Sequence, residues 1–301
     1  MMDRFQTMSV FVAVAEEQGF AAAARRLNMS PPAVTRCVAA LEDHLGVKLL
    51  QRSTRYVRTT EAGVRYLEDA RRILQELESA DATAAGINAT PKGLLKVTAP
   101  VLFGRLFVMP GVVEYLNQYP QMNVSLMCLD RVVNLLEEGM DVGIRIGKLP
   151  DSSMHALQVG SVRIVLCASK TYLRKYGIPS KPEDLKEHNM LASMAGNHML
   201  DLRFKTQDRE REMQLSSRLT TNTNDSAIEA AMRGYGITRL LSYQVAEHIK
   251  NGELQCVLED YEPDPLPVSI LYREGRQAAA KVRSFVDLMS QRLRSDSALN
   301  A

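Results

Sequence analysis

The sequence predicts a multidomain α/β protein: a small helical head with a β-hairpin, one long helix, and a larger α/β body. Three observations predict it. Residues 19–63 read as two short helices, a tight turn and an arginine-studded hairpin; residues 61–85 repeat small and apolar side chains at helical spacing; and from residue 93 onward short β-rich runs alternate with helical stretches.

In the head, the second helix is the more legible. Ser30 offers a hydroxyl oxygen to an orphan backbone amide, and Pro31 occupies the first helical position, where its missing N–H costs nothing, so the helix is predicted to start at Ser30. At 100° per residue Val34, Val38, Leu41 and Leu45 form one stripe, while Pro32, Arg36, Ala39 and Asp43 lie opposite with Thr35 at the flank. One face packs and the other is free. The preceding stretch 21–27 is mostly alanine on its inner side, which lets a neighbouring helix approach closely, and Asn28-Met29 makes the turn between them. Two helices, a turn and a hairpin are the parts of a winged helix-turn-helix. In that arrangement Thr35 and Arg36 would reach base edges or phosphates in the major groove.

Charge points the same way. Between Gly19 and Thr60 there are seven basic residues (Arg25, Arg26, Arg36, Lys48, Arg52, Arg55 and Arg58) and two acidic ones (Glu42 and Asp43), whereas the whole chain carries a net charge of only +2. A local basic patch is what phosphate neutralisation requires. A soluble alanine-rich helix with scattered arginines would look similar in isolation; the ordered succession of cap, turn, second helix and hairpin separates the two.

Thr60 is positioned to cap the long helix that follows. Gly63, Leu67, Ala70, Leu74, Leu77, Asp81 and Ala84 recur at alternating spacings of four and three, the pattern of a helix that packs lengthwise. A seam with a second chain and a stripe against the protein's own head both fit it. About three heptads are marginal for an isolated coiled coil, so any assembly is expected to use other surfaces as well. The segment NATPKG, residues 88–93, breaks the helix and serves as hinge.

Beyond the hinge, the runs LLKVTA, NVSLMCL, DVGIRI and RIVLCAS alternate with helical stretches at 101–118 and 132–138, which predicts a parallel sheet with helices on its faces. Around Ser161 the chain is expected to leave this sheet for a second set of elements: a helix at 172–176, a strand region at 202–219 and a helix at 226–233. EPDPLPVSILYRE then reads as a return strand before a final amphipathic helix at 278–293. A chain that crosses out and back makes two lobes with a cleft between them. The expected boundaries are 1–60 for the head, 61–90 for the linker helix and hinge, and 91–301 for the body, with one lobe from 91–161 and 267–301 and the other from 162–266.

Composition narrows the function classes. Hydrophobic residues make up 46% and charged ones 24%, enough for a sizeable core, and no run approaches the ~18 apolar residues of a membrane span. The opening MMDRFQTMSVFVAV reads as an amphipathic helix without a cleavage pattern, so a cytoplasmic location is expected. Cys37, Cys128, Cys167 and Cys256 lack metal-ligand spacing and read as reduced, buried small hydrophobes. The five histidines show no ligand or nucleophile pattern. Gly234-Tyr235-Gly236 begins like a dinucleotide fingerprint but lacks its third glycine and ends a helix instead of opening one, so no enzyme, cofactor or metal is expected. A solute-transport protein would suit the body alone, but not the head. A nucleoid-architectural binder without ligand control is separable only by ligand screening.

The stretch AAAARRLNMSPPAVTRCVAALEDHLGVKLLQRSTRYVRTTEAG resembles the N-terminal signature of the LysR-type transcriptional regulators. LLQRSTRYVRTTEAG, APVLFGRLFVMP and DVGIRIGKLPDSS look most like the CrgA-like branch. The resemblance runs to the C-terminus. It implies a periplasmic-binding-protein-like effector domain and a bacterial regulator of transcription, with promoter DNA, a small-molecule effector and RNA polymerase as partners. It also implies a homo-oligomer, a dimer of dimers, whose linker helix pairs two chains through Leu67, Ala70, Leu74 and Leu77. DNA would be touched by Ser30, Pro31, Pro32, Thr35 and Arg36 and by the wing at Arg52, Ser53, Thr54 and Arg55. Leu50 stands where many members have Phe, and Pro32 where a small polar residue is common, which removes one base contact.

For the effector the resemblance implies Ala99, Pro100, Val101 and Phe103 after the first strand of the body, then Asp130, Arg145 and Ile146, and from the other lobe Ser193, Asn222, Thr223, Gly236 and Ile237. Chemically, Arg145 stands out: a buried guanidinium wants a carboxylate, from a ligand or from a structural ion pair. Arg145, the helix amides after Pro100 and the apolar segment 101–107 together suggest an organic acid with a hydrophobic part.

Overall fold

The computed structural model describes residues 3–52, 57–84, 90–149, 154–193, 199–206, 209–273 and 279–300. The chain divides into two compact units, Met1–Ala89 and Thr90–Ala301, so the long helix belongs with the head.

In the first unit α1 (Arg4–Glu17) begins where the Asp3 carboxylate accepts the Phe5 amide at 3.1 Å. It is followed by α2 (Phe20–Arg26) and α3 (Pro31–Leu45). The turn between these two places Asn28 at φ 53°, a left-handed conformation that Asn tolerates well. The expected α3 stripe forms: Val34, Val38 and Leu41 are buried against Phe11 and Val14, and Leu45 packs at the margin. Strands β1 (Leu50–Arg52) and β2 (Val57–Thr59) pair antiparallel, with Leu50 opposite Thr59.

Helix α4 (Glu61–Ala84) starts as expected from Thr60. Its Oγ1 accepts the Gly63 amide at 2.9 Å and donates to the Lys48 carbonyl at 2.8 Å. Gly63 is required here, because a Cβ would sit 2.0 Å from the Leu49 carbonyl oxygen. The repeating stripe on α4 turns first toward its own unit. Ala70 is fully buried, and Leu67 and Leu74 pack against the same core with Tyr66 and Ile73, whereas Leu77 is exposed. Ala70 is therefore unavailable to a second chain. The first part of the repeat, Leu67, Ala70 and Leu74, packs on the head, while Leu77 and Asp81 face outward.

The second unit opens with β3 (Gly93–Ala99), which leads through α5 (Val101–Phe103) and a π-helical turn at Gly104–Val108 into α6 (Met109–Gln118). There follow β4 (Met122–Cys128), β5 (Val142–Ile146), β6 (His155–Val162), β7 (Ile164–Ser169), α7 (Lys170–Tyr176), β8 (Met190–Ser193), the hairpin β9 (Met199–Thr206) and β10 (Arg209–Ser216), and β11 (Leu219–Thr221). The unit closes with α8 (Asn224–Met232), β12 (Ile237–Leu241), α9 (Ser242–Lys250), β13 (Leu254–Val257), β14 (Leu266–Tyr272) and α10 (Ala280–Ser295).

Two five-stranded sheets result, ordered β4-β3-β5-β14-β6 and β11-β8-β12-β7-β13. The chain passes from one to the other at Arg163 and returns into β14. Both sheets are mixed, correcting the parallel expectation. β3 runs parallel to β4 and β5, but the returning β14 enters antiparallel to β5 and β6, and β7 is antiparallel to β12 and β13. Residues 132–134 are irregular and 135–138 form a turn instead of a helix, where the Asn134 side chain accepts the Leu136 amide at 3.1 Å and competes with helical pairing. The 202–219 region contains a hairpin outside the sheets. Its Leu202, Phe204 and Met213 cover the face of the second sheet that carries Leu166 and Ala168.

Candidate functional site

On the first unit the free face of α3 carries Ser30, Pro31, Pro32, Thr35 and Arg36, all exposed. Ser30 is the N-cap, but its side chain makes no cap hydrogen bond. The cause is local. Pro31 and Pro32 remove the first two helical N–H groups, and the next one, on Ala33, is taken by the Ser30 carbonyl at 2.9 Å. The Ser30 hydroxyl is thus left outward. Thr35 Oγ1 donates back to the Pro31 carbonyl at 3.0 Å, and Arg36 makes no hydrogen bond or ion pair with the described residues.

The basic patch is less free than the residue count suggested. Arg26 is held by Glu16 at 2.7 Å and Glu17 at 3.3 Å, two carboxylates on α1 that lie just outside the counted window. Glu16 also holds Arg71 of α4 at 2.9 Å. Ser53, Thr54 and Arg55 lie outside the described residues; Arg52 ends β1.

Sequence reasoning missed Glu42. Its side chain is 1% exposed, and its carboxylate accepts the Leu49 amide at 3.0 Å, the Leu50 amide at 3.1 Å and the Lys48 ammonium at 3.0 Å. Burial alone would raise its pKa, but Lys48 and the two amides outweigh that and hold the carboxyl below its ordinary value. A carboxylate near the end of α3 thereby pins the first strand of the hairpin. The sequence signal was an acid directly beside the apolar stripe, next to Leu41.

In the second unit the two sheets face a cleft of about 380 Å³. Of the expected residues, Pro100, Asp130, Arg145, Ile146 and Ser193 line it. Ala99, Phe103 and Ile237 do not; they are buried core residues, and Gly236 packs so closely on the Asn189 carbonyl that a Cβ would meet it at 2.3 Å. Phe103 and Phe107 instead meet Tyr243 edge-to-face, at centroid distances of 5.3 and 5.6 Å. Within segment 101–107, Leu102, Phe103 and Gly104 are core while Val101, Arg105 and Leu106 are exposed, none of them in the lining; the cleft takes its apolar lining from Leu129, Ile146, Leu191, Leu240 and Leu266. Thr223 caps α8 by accepting the Ser226 amide, and Asn222 lies outside the lining. The neighbouring Asn224 lines the cleft and accepts from Ser193 at 2.6 Å.

Asp130 changes the electrostatics foreseen after Pro100. Its Oδ1 accepts the Val101 amide at 2.9 Å, so this carboxylate already occupies the start of α5 that was expected to meet an anion. Arg145 donates to the carbonyls of Ile144 and Val133, both at 3.1 Å, and forms no ion pair among the described residues. The structural ion pair is thereby removed as an explanation. Desolvation lowers its pKa, partly opposed by Glu138, yet a guanidinium stays charged. Its neighbour Arg131 is neutralised by Glu138 through two hydrogen bonds of 2.6 and 2.8 Å. From the opposite lobe Arg239, Tyr243 and Gln244 complete the lining; none of the three was foreseen.

Among the described residues no cluster of three or more His, Cys, Asp or Glu is placed to hold a metal, and no helix is long and apolar enough to cross a membrane. Two cysteines that look isolated in sequence are neighbours in space: Cys256 on β13 pairs in register with Cys167 on β7. Burial raises their thiols to about 11 and about 12 respectively, which keeps both protonated and unreactive.

Comparison with known proteins agrees with both units. Residues 5–64 match the bacterial regulatory helix-turn-helix of the lysR family, and residues 88–294 match the LysR substrate binding domain. The transcriptional activator AaeR of Escherichia coli is 34% identical over 290 residues, covering 96% of this chain and 94% of the relative. The solved structure of CrgA, a LysR-type transcriptional regulator from Neisseria meningitidis, aligns with a TM-score of 0.62 at 29% identity, covering 96% of this chain and 98% of that one. The full-length virulence activator AphB of Vibrio cholerae aligns at 0.60 and 25%, covering 95% and 98%.

Proposed function

The chain belongs to the LysR family of bacterial transcriptional regulators, and from that premise we propose that it binds promoter DNA sequence-specifically through α3 and the hairpin and is modulated by a small organic acid held in the cleft. The observation that carries the acid is Arg145: a half-buried guanidinium in an apolar-lined cleft that, among the described residues, bonds only to carbonyl oxygens and pairs with no carboxylate. A ligand touching both lobes shifts the DNA-bound conformation by its differential affinity for the two states.

On the DNA side, Arg36 reads base edges or a phosphate, the free Ser30 hydroxyl donates to a phosphate, and the rings of Pro31 and Pro32 present an apolar surface to the groove. The working species is a homo-oligomer, a dimer of dimers, and the α4 seam uses the exposed Leu77 and the outer side of Leu74. RNA polymerase is the partner of the promoter-bound form. Curated relatives include both an activator and a Pseudomonas aeruginosa repressor 32% identical to this chain, and neither outcome is assigned to it.

Thermal-shift screening of the full-length protein against carboxylic acids, sugars and amines tests the reading. Acids should stabilise the wild type and fail to stabilise Arg145→Gln. Hits confined to sugars or cations would overturn it.

A further inference from the structure

The cleft presents a second arginine that the acid-binding reading does not use. Arg239, on β12 of the second sheet, donates to the Asp201 carbonyl at 2.9 Å and, like Arg145, makes no ion pair among the described residues. The two guanidiniums come from opposite sides of the cleft. The other charged groups lining it are already engaged: Arg131 with Glu138, and Asp130 with the Val101 amide. Apart from these four charged side chains the described lining is apolar or neutral and includes Leu191, Leu240, Ser193 and Asn224, the last two hydrogen-bonded to each other.

Resting on the reading that the cleft binds an acid, we propose that its ligand is a dianion, a small molecule with an apolar middle and an acidic group at each end, one bound by Arg145 and the other by Arg239. Two like charges lining one cleft repel, and the repulsion grows as the cleft closes and water leaves. A monoacid neutralises one of them and leaves the other without a counter-charge. A diacid neutralises both and bridges the lobes, so closure is favoured only when both ends are occupied. A volume of about 380 Å³ lies at the lower end of ligand sites, in keeping with a short diacid instead of a nucleotide or a long acyl chain.

The test uses the full-length protein, titrated calorimetrically with benzene-1,4-dicarboxylate and hexanedioate, each compared with its own monomethyl ester. A charge-assisted contact corresponds to about ten- to a hundredfold in affinity, so each diacid that binds should bind the wild type tighter than its ester by that ratio. Arg239→Gln and Arg145→Gln should each bring the ratio to near one. Arg239→Lys, which keeps the charge, should retain part of it, and because the ratio is taken within each protein, a general loss of stability does not mimic the effect. Esters that bind the wild type as tightly as the diacids, with binding still lost in Arg145→Gln, would overturn the dianion while sparing the acid reading. An undiminished diacid preference in Arg239→Gln would overturn the assignment of Arg239. Failure of all four compounds would overturn the dianion, and acid binding too if only uncharged compounds bind.

Discussion

Replacing Glu42 should release the hairpin from α3 and weaken DNA binding without touching any residue that faces DNA. Its Oε1 atom accepts both the Leu49 and Leu50 amides at a site 1% exposed, whereas Lys48 reaches Oε2 from a side chain that is 70% exposed. The amides therefore dominate. An exposed lysine paired with a carboxylate contributes about 0 to 1 kcal/mol, while each buried amide left without an acceptor costs about 1 to 3 kcal/mol. Glu42→Ala should thus cost about 3 to 5 kcal/mol, Glu42→Gln about 1 to 2 because an amide oxygen can still accept, and Lys48→Ala less than about 1. Hydrogen exchange followed by mass spectrometry on the full-length protein reads this locally. Protection of peptides covering β1 should fall by about two to three and a half decades in Glu42→Ala, at about 1.4 kcal/mol per decade, and by less than about one decade in Lys48→Ala. The direction of the pKa shift adds a pH signature. A carboxyl held below its unfolded value stabilises the fold above that value and loses the contribution as pH falls through the folded one. The acid limb of the wild type should accordingly be steeper than that of Glu42→Ala. Equal protection in Glu42→Ala and wild type would refute the pinning argument.

Ser30→Ala should leave stability unchanged, unlike an ordinary cap deletion of about 1 kcal/mol, because the hydroxyl caps nothing, yet it should weaken DNA binding in filter or fluorescence titrations. Arg36→Ala should cost about 1 to 3 kcal/mol on a selected site if it reads a base; a uniform loss on all sequences with a shallower salt dependence would assign it to phosphate. Leu77→Asp should shift sedimentation toward smaller species in a protein that stays folded, whereas Leu74→Asp should destabilise the first unit itself, since Leu74 packs against its core. Native alkylation with iodoacetamide should leave Cys167 and Cys256 unmodified at pH 8, with Cys256 alone beginning to react as pH nears 11; rapid labelling of either at neutral pH would contradict their burial.

The head was legible in the sequence because its signals are local. A proline pair, a left-handed Asn28 turn and a 3.6-residue stripe act within a few positions of one another, and α3 and α4 begin where those signals lie. What failed there was accounting across elements: the charge window stopped short of Glu16 and Glu17, and the cap reading overlooked that Pro31 and Pro32 leave Ser30 no amide to bond. The α4 stripe identified a packed face without saying against what. In the second unit strand order could not be read from alternation, because β14 enters antiparallel after more than a hundred residues. Half of the cleft was invisible for the same reason. Arg239 and Tyr243 are ordinary residues of a strand and a helix until the second sheet brings them opposite Arg145. Asn224 was missed by one position, since Thr223 took the capping role and left its neighbour facing the cleft.

The most direct test of the central claim is the affinity of the full-length protein for a DNA site selected by the protein itself, measured with and without an acid that calorimetry shows to bind. Saturating acid should change the affinity of the wild type by at least severalfold and leave that of Arg145→Gln unchanged. An acid that binds the wild type yet leaves its DNA affinity and site preference untouched would contradict the account.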